Sequence, residues 1–422
     1  MDSIELTLTI CGLDCTECTI FQAAEHPEIA QRIANWFRQE RGGEVHPEQI
    51  RCAGCRGDPA VQWSDNCEIR TCAQARELHS CGACPDFLCP RFDAWTAGDE
   101  RHAAAVARLR DMRRGILNDS TLVSWLLAAR TPSIRYLTLR RLLDRPKVDP
   151  EVQAAWQEIM TAGPVPAILA AQTRAGNWAG ERGYYTPKYT STHWSMLLLA
   201  EMAADGSDPH LQRGAAFMLA QTRQELEQAL ERNLYGMSCF WGNLLRYALH
   251  SGYVGDARLQ TIIVYLAREA ANGWKCPIND DAPCAWGAAR ALFGVAAMPA
   301  RYHSPPVEKA IQGGLAFLLE GGKLATGDYP AQRVHALWRR LNFPLFYQAD
   351  VLFTLRVLGE LNALNHPGAR PALDWLAARR RPDGHWRSAS PFRRRTWLDL
   401  ADREETDRWV SLHAMVVLKQ AG

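Results

Sequence analysis

In residues 121–422 the apolar positions recur in one short phrase. It reads Trp125-Leu-Leu-Ala-Ala-Arg130, Ile168-Leu-Ala-Ala-Gln172, Phe217-Met-Leu-Ala-Gln221, Tyr265-Leu-Ala-Arg-Glu269, Phe317-Leu-Leu-Glu-Gly321 and Trp375-Leu-Ala-Ala-Arg379. The starts fall 43, 49, 48, 52 and 58 residues apart. Each phrase ends one apolar helix, and a second helix follows each. A period near fifty with two helices per unit marks a repeat architecture. The second helices are expected to begin near Ser133, Thr192, Cys239, Cys284, Gln348 and Arg408. Stretches such as Trp194-Ser-Met-Leu-Leu-Leu-Ala200 and Val351-Leu-Phe-Thr-Leu-Arg-Val-Leu358 carry less polar interruption than amphipathic surface helices do. They therefore belong to an inner layer covered by the first helices. Six pairs predict a mainly α fold closed into an (α/α)6 toroid.

The first 95 residues carry a different pattern. Ten of the 13 cysteines lie between Cys11 and Cys89, as Cys11-x3-Cys15-x2-Cys18, Cys52-x2-Cys55, Cys67-x4-Cys72 and Cys81-x2-Cys84-x4-Cys89. A Cys-x2-Cys pair bends the backbone so that two thiolates face one tetrahedral ion. Three such pairs predict a small metal-knuckle domain, with zinc, about two ions, as the expected cofactor. Iron–sulfur ligation is the alternative, since Cys11, Cys15 and Cys18 have the spacing that radical enzymes use. The barrel of strands behind such a cluster is not predicted here. Aliphatic residues are few in this segment, so metal is expected to supply much of its folding energy. One helix is predicted from about Pro27 to Gln39, burying Ile29, Ile33, Trp36 and Phe37. Residues 96–120 read as a helical connector with a basic face.

These cysteine phrases resemble a small cysteine-rich family of bacteria and archaea known only as a domain of unknown function. The likeness spans residues 10–95, with Cys11-Gly-Leu-Asp-Cys15-Thr-Glu-Cys18 and Cys81-Gly-Ala-Cys84-Pro-Asp-Phe-Leu-Cys89 as its most specific parts. It implies metal binding and no particular reaction.

Bulk properties narrow the class. The net charge of +2 gives no general pull toward nucleic acid. No apolar run approaches the ~20 residues that span a bilayer, and Met1-Asp2-Ser3-Ile4-Glu5 lacks the basic start of an export signal. A cytoplasmic location, with thiols kept reduced, is expected. Fifteen tryptophans suit both wedges between helices and the lining of a cavity.

Loops in the repeat region end in Gly-x-Trp or Gly-Trp, at Gly176-Asn-Trp178, Gly273-Trp274 and Gly384-His-Trp386. The first, Gln172-Thr-Arg-Ala-Gly176-Asn-Trp178, resembles the QW motif of squalene and oxidosqualene cyclases. With six helix pairs, residues 121–420 resemble the terpenoid-cyclase and protein-prenyltransferase toroid superfamily, which implies a central cavity. The cyclase Asp-x-Asp-Asp motif is absent, its nearest match being Asn279-Asp280-Asp281, and Asp-Asp-x-x-Asp is absent too. Squalene-type cyclisation is therefore not expected.

Prenyltransferases hold zinc with Asp, Cys and His at inner-helix starts, and this chain places such groups there. Cys239 and Cys284 each precede x-Trp-Gly, and Cys276, His193 and Asp350 lie near the same level of their repeats. Cys239, Cys276 and Cys284 are thus candidates for a second metal or cavity site, though Cys is also a small core residue and Trp-Gly a packing pair. Trp194, Trp241 and Trp286 are the expected cavity lining. Lys188 lies in the polar-aromatic loop Tyr184–His193, at the predicted mouth. Arg379-Arg-Arg381 and Arg393-Arg-Arg395 suit a phosphate or a solvated face.

Two functions fit this sequence. One is an enzyme acting on an apolar or isoprenoid-like substrate, with His193, Asp350 and Lys188 as catalytic candidates. The other is a non-catalytic lipid- or peptide-binding module whose cysteine-rich head docks a protein partner. Neither requires a membrane span or nucleic acid.

Overall fold

The computed structural model describes residues 9–13, 15, 18–55, 57–64, 66–76, 78, 80–84, 86–87, 89–96, 102, 105–106, 109, 120–178, 180, 183–322, 324, 335–381, 383–397 and 400–421. It is mainly helical, with 59% of the described residues in helices and no strand among them. The chain divides into two compact units, Met1–Asn118 and Asp119–Gly422. Most of the connector's basic face, including Arg108 and Arg110–Arg114, lies outside the described residues.

In the first unit, α1 (Thr19–Gln22) and α2 (Pro27–Glu40) pack together, followed by α3 (Glu68–Ala75) and α4 (Pro90–Thr96). Pro27 opens α2 at a position whose N–H has no helical partner in any case. Its buried centre is Ala30 and Ala34, one turn apart, against Ala23 and Ile50; Ile29 and Ile33 flank it. Trp36 differs from the sequence expectation, for it is 47% exposed. The small alanines at the centre let the helix sit close to its neighbours, which turns Trp36 outward beside Phe37 and Arg41. The second core of this unit is built partly of sulfur: Cys11, Cys81 and Cys84 join Ile10, Ile69, Phe87 and Phe92.

The second unit combines half-buried and fully buried helices. In chain order they are α5 (Ser120–Leu127), α6 (Pro132–Leu137), α7 (Pro150–Ile159), α8 (Pro164–Ala170), α9 (Thr192–Glu201), α10 (Pro209–Gln221), α11 (Arg223–Glu231), α12 (Ser238–His250), α13 (Ala257–Ala271), α14 (Ala285–Val295), α15 (Pro305–Leu315), α16 (Val351–Glu360), α17 (Arg370–Ala378) and α18 (Arg403–Ala421). Asp149, Asp208 and Asp256 cap α7, α10 and α13 by accepting N–H bonds from the first turn, a contribution of about 1 kcal/mol each. Those helices bury one stripe. By contrast α14 buries every residue and α9 all but its last two.

The buried helices contact one another in sequence. α9 packs on α12, α12 on α14, α14 on α16, α16 on α18, and α18 returns to α6. Glu405 ties the last helix to the first pair by accepting from Arg130 N at 3.2 Å and Thr131 N at 2.9 Å. The closest pairing is α12 with α14, where a Cβ on Gly242 would stand 2.1 Å from the Arg290 carbonyl oxygen. Glycine is needed there because two backbones touch.

The Gly-x-Trp loops perform one repeated task. Trp178 Nε1 donates to Ile168 O at 2.6 Å and Trp386 Nε1 to Leu376 O at 2.8 Å, each closing the end of the preceding helix. Their backbone N–H groups donate to Thr192 Oγ1 and Ser411 Oγ on the following buried helix. Gln172 completes the first loop through Gly176 O and His210 O. No helix among the described residues is long and apolar enough to cross a membrane.

Candidate functional site

The cysteines of the first unit gather around α3, and Cys11 acts on both Cys55 and Cys81. Cys67 stands at its N-cap and Cys72 in its second turn. Five residues on a helix turn through ~140°, so the two thiols face different neighbours. Cys67 lies with Cys11 and Cys55, close enough for their charges to act on one another. Cys72 lies with Cys81, Cys84 and Cys89 along a half-open space of about 20 Å³ bordered by Ile69, Phe87 and Phe92. Burial pushes the Cys81 thiol up to about 12, and the neighbouring cysteines add to the shift. Burial likewise raises Cys84 and Cys11, and carries Cys55 to about 11.

Donors surround the sulfurs. Gly54 N and Trp63 N lie 3.4 and 3.5 Å from Cys52 Sγ, and Arg76 Nη1 lies 3.5 Å from Cys84 Sγ. Arg76 also pairs with Asp86. Cys15 sits against the Cys52–Cys55 loop at Gly54, and Cys18 is exposed. Among the described residues, no three Cys, His, Asp or Glu side chains converge as a metal site. Cys72, Cys81, Cys84 and Cys89 border the 20 Å³ space without forming such a cluster, with Arg76 and Arg91 beside them and Asp86 acting on Cys84.

In the second unit the candidate thiols come together through one tight loop. Trp274 O accepts from Cys284 N at 2.9 Å, and Cys276 N donates to Ala282 O at 3.2 Å. The loop between them turns through Asp280 and Asp281, both with left-handed backbones. Asp281 accepts from the Tyr235 hydroxyl at 2.8 Å. Closing this loop brings the Cys284 thiol into hydrogen bonding with Cys276, which lowers the Cys276 pKa well below the thiol range and raises that of Cys284. Backbone amides of Met237, Ile278 and Asn279 add to the stabilisation of the Cys276 thiolate. Cys284 Sγ also accepts from Gly287 N at 3.3 Å, as the N-cap of α14. Burial carries the nearby Cys239 up to about 12, with the charge of Cys276 contributing.

One carboxylate joins this group that the sequence reading did not select. Glu269 is fully buried and accepts from Gly236 N at 2.7 Å and Ser238 Oγ at 3.2 Å through Oε2, while Oε1 has no partner. Burial raises its pKa to about 7. The signal was present in the repeated phrase, whose fifth residue is Gln172, Gln221 and then Glu269.

The remaining candidates occupy different surroundings. Lys188 Nζ lies over two rings, 4.6 Å from Tyr347 and 5.1 Å from Tyr185. Trp286 adjoins Tyr347 at 6.0 Å and His335 at 4.8 Å, and Trp194 adjoins Tyr185 at 4.7 Å. Tyr185 and Tyr347 are also within electrostatic reach of Cys239. Lys188, Trp194, Trp286 and Cys239 thus share one aromatic neighbourhood, to which His335 is an addition. Trp241 packs beside Tyr265 and Phe240.

His193 is fully buried, stacked on Phe240 at 4.4 Å, with Nδ1 3.2 Å from the Tyr247 hydroxyl. Burial, with Arg290 nearby, lowers its pKa to about 3, so it is a neutral ring at physiological pH. Asp350 caps α16 by accepting from Phe353 N at 2.7 Å, and its other oxygen accepts from Asn342 N and Nδ2. Its pKa is raised to about 6 by burial.

The profile of a family described as "Protein of unknown function (DUF3795)" matches residues 7–94. The cysteine-rich head therefore carries this domain of unknown function. No curated protein and no solved structure matches the chain.

Proposed function

We propose that this is a thiolate-metal protein in two parts. The first unit holds zinc through cysteine, and the second is an (α/α)6 toroid whose dithiol acts on a small apolar ligand at its mouth. The observation that carries the reading is that Cys72, Cys81, Cys84 and Cys89 all border one small space beside α3. Burial raises the Cys81 and Cys84 thiols, and a metal ion that displaced their protons would turn that cost into folding energy. Cys11, Cys55 and Cys67, with Cys15 or Cys52, supply a second set.

The toroid reading is supported by the order of packing among α9, α12, α14, α16, α18 and α6, and by the matched Trp178 and Trp386 contacts. The thiolate character of Cys276 favours an enzyme over a passive binding module, because a depressed thiol pKa makes a nucleophile or redox group. Lys188, Tyr185, Tyr347 and Trp286 would form the aromatic wall for an apolar ligand.

Metal content and an absorption spectrum of the full chain, purified without oxygen, test this. About two zinc ions per chain and no visible band support the proposal. Iron with sulfide and a brown colour would replace zinc by a cluster on the same cysteines. A folded, metal-free protein would overturn the reading of the head.

A further inference from the structure

A cleft of about 500 Å³ opens on the second unit, lined from the end of α17, the start of α18 and the segments before them. Seven arginines line it: Arg339 and Arg340, then Arg379 and Arg381, then Arg387, Arg393 and Arg403. Carboxylates set against them include Asp383, 3.1 Å from Arg381, and Asp407, which faces Arg403, Arg387 and Arg381. Asp407 is already engaged with Ser388 N at 2.6 Å. Nearby acids are committed elsewhere, Asp402 to Arg130 and Glu404 to Arg408. Guanidinium groups gathered this densely repel one another unless something anionic joins them.

A second observation points to a ligand. Ser388 lines the cleft at 5% exposure, and its hydroxyl has no partner. Buried hydroxyls are rarely left so. Ser390, two residues on, donates to Pro344 O at 2.9 Å as a structural serine does. Trp375 forms part of the wall, with Arg379 5.1 Å over its ring.

We infer that this cleft binds an oligophosphate chain, free or carried as an ester on a small molecule. Guanidinium forks match phosphate oxygens two at a time, and seven of them call for several phosphates in place of one carboxylate. The volume falls in the range of small-molecule sites. The chain's net charge of only +2 supplies no wider basic field of the kind that draws nucleic acid. The hydroxyl of Ser388 completes the floor as a donor to a phosphate oxygen. This inference stands on different residues from the thiol sites and does not depend on them.

Isothermal titration of the full-length protein, with inorganic triphosphate in one arm and a nucleoside triphosphate in the other, tests it at about 150 mM salt. One site per chain is expected in at least one arm. Equal affinity in the two arms assigns the free chain, and tighter binding of the nucleotide assigns the ester. The double substitution Arg381→Gln with Arg387→Gln weakens binding by about tenfold or more, and Ser388→Ala by a few-fold. Arg393→Gln gives an independent reading should the double variant not fold. Absence of binding in both arms, unchanged affinity in the variants, or binding confined to a long single-stranded oligonucleotide would overturn the inference.

Discussion

Cys276 and Cys284, at the two ends of one short loop, meet side chain to side chain. The contact moves their titration in opposite directions, down for Cys276 and up for Cys284. Pairs of this kind are reactive because the anion is preformed while its neighbour keeps a proton to give. Cys276 is accordingly expected to be alkylated by iodoacetamide with a midpoint below the ordinary thiol value of about 8.5. Cys284→Ala removes the donor and moves that midpoint upward. Peptide mapping across a pH series checks this, and a Cys276 midpoint that ignores the Cys284 substitution would contradict it.

The two Trp-Gly pairs of the sequence look alike but answer differently to a methyl group. A Cβ at Gly242 meets the Arg290 carbonyl oxygen at 2.1 Å, whereas at Gly287 the nearest atom, Ser238 Cβ, is 3.4 Å away. Gly242→Ala should therefore cost about 1–3 kcal/mol by forcing α12 from α14. Gly287→Ala should be close to neutral. Thermal unfolding of the two variants side by side separates them, and equal losses would show that the close approach is not what the glycine serves.

Glu269 sets a pH dependence whose sign follows from its raised pKa. Between the ordinary glutamate value and about 7, the folded chain holds a proton that the unfolded chain has released. The corresponding stability is complete below the unfolded pKa and disappears as pH rises through about 7. Glu269→Gln removes this slope. Between pH 5 and pH 8 the native protein should thus lose about 2–3 kcal/mol relative to the variant, read from urea midpoints by tryptophan fluorescence. Parallel curves would contradict it.

The parts of this molecule that repeat were legible in its sequence, and the parts made by tertiary closure were not. Buried helices were expected near Ser133, Thr192, Cys239, Cys284, Gln348 and Arg408, and they begin at Pro132, Thr192, Ser238, Ala285, Val351 and Arg403. Their signal was an unbroken apolar run, which reports burial on all sides. The Gly-x-Trp loops were also readable, since a large ring with one donor has to find a carbonyl, and Ile168 and Leu376 provide it.

Residue type gave no sign of the local partners of two candidates. Asp350 spends both oxygens on N–H groups, and His193 stacks on Phe240 and meets Tyr247 through Nδ1, while its Nε2 has no partner. Spacing in sequence carried no information on such partners. Nor did it show that Cys67 and Cys72 part company, because that depends on a helix forming between them. Glu269 was hidden for a related reason, as its phrase reads as a helix end until the loop at Gly236 folds over it.

The two thiolate sites proposed on either side of α3 are tested most directly by zinc counting in single variants. The native chain is expected to carry about two ions, Cys67→Ser about one and Cys72→Ser about one, with the double variant carrying none. Independent loss would place Cys67 and Cys72 on different ions, as the two faces of the helix require. If either single substitution released all the metal, or if the double variant lost no more than a single one, both cysteines would serve one site and the division by α3 would be wrong.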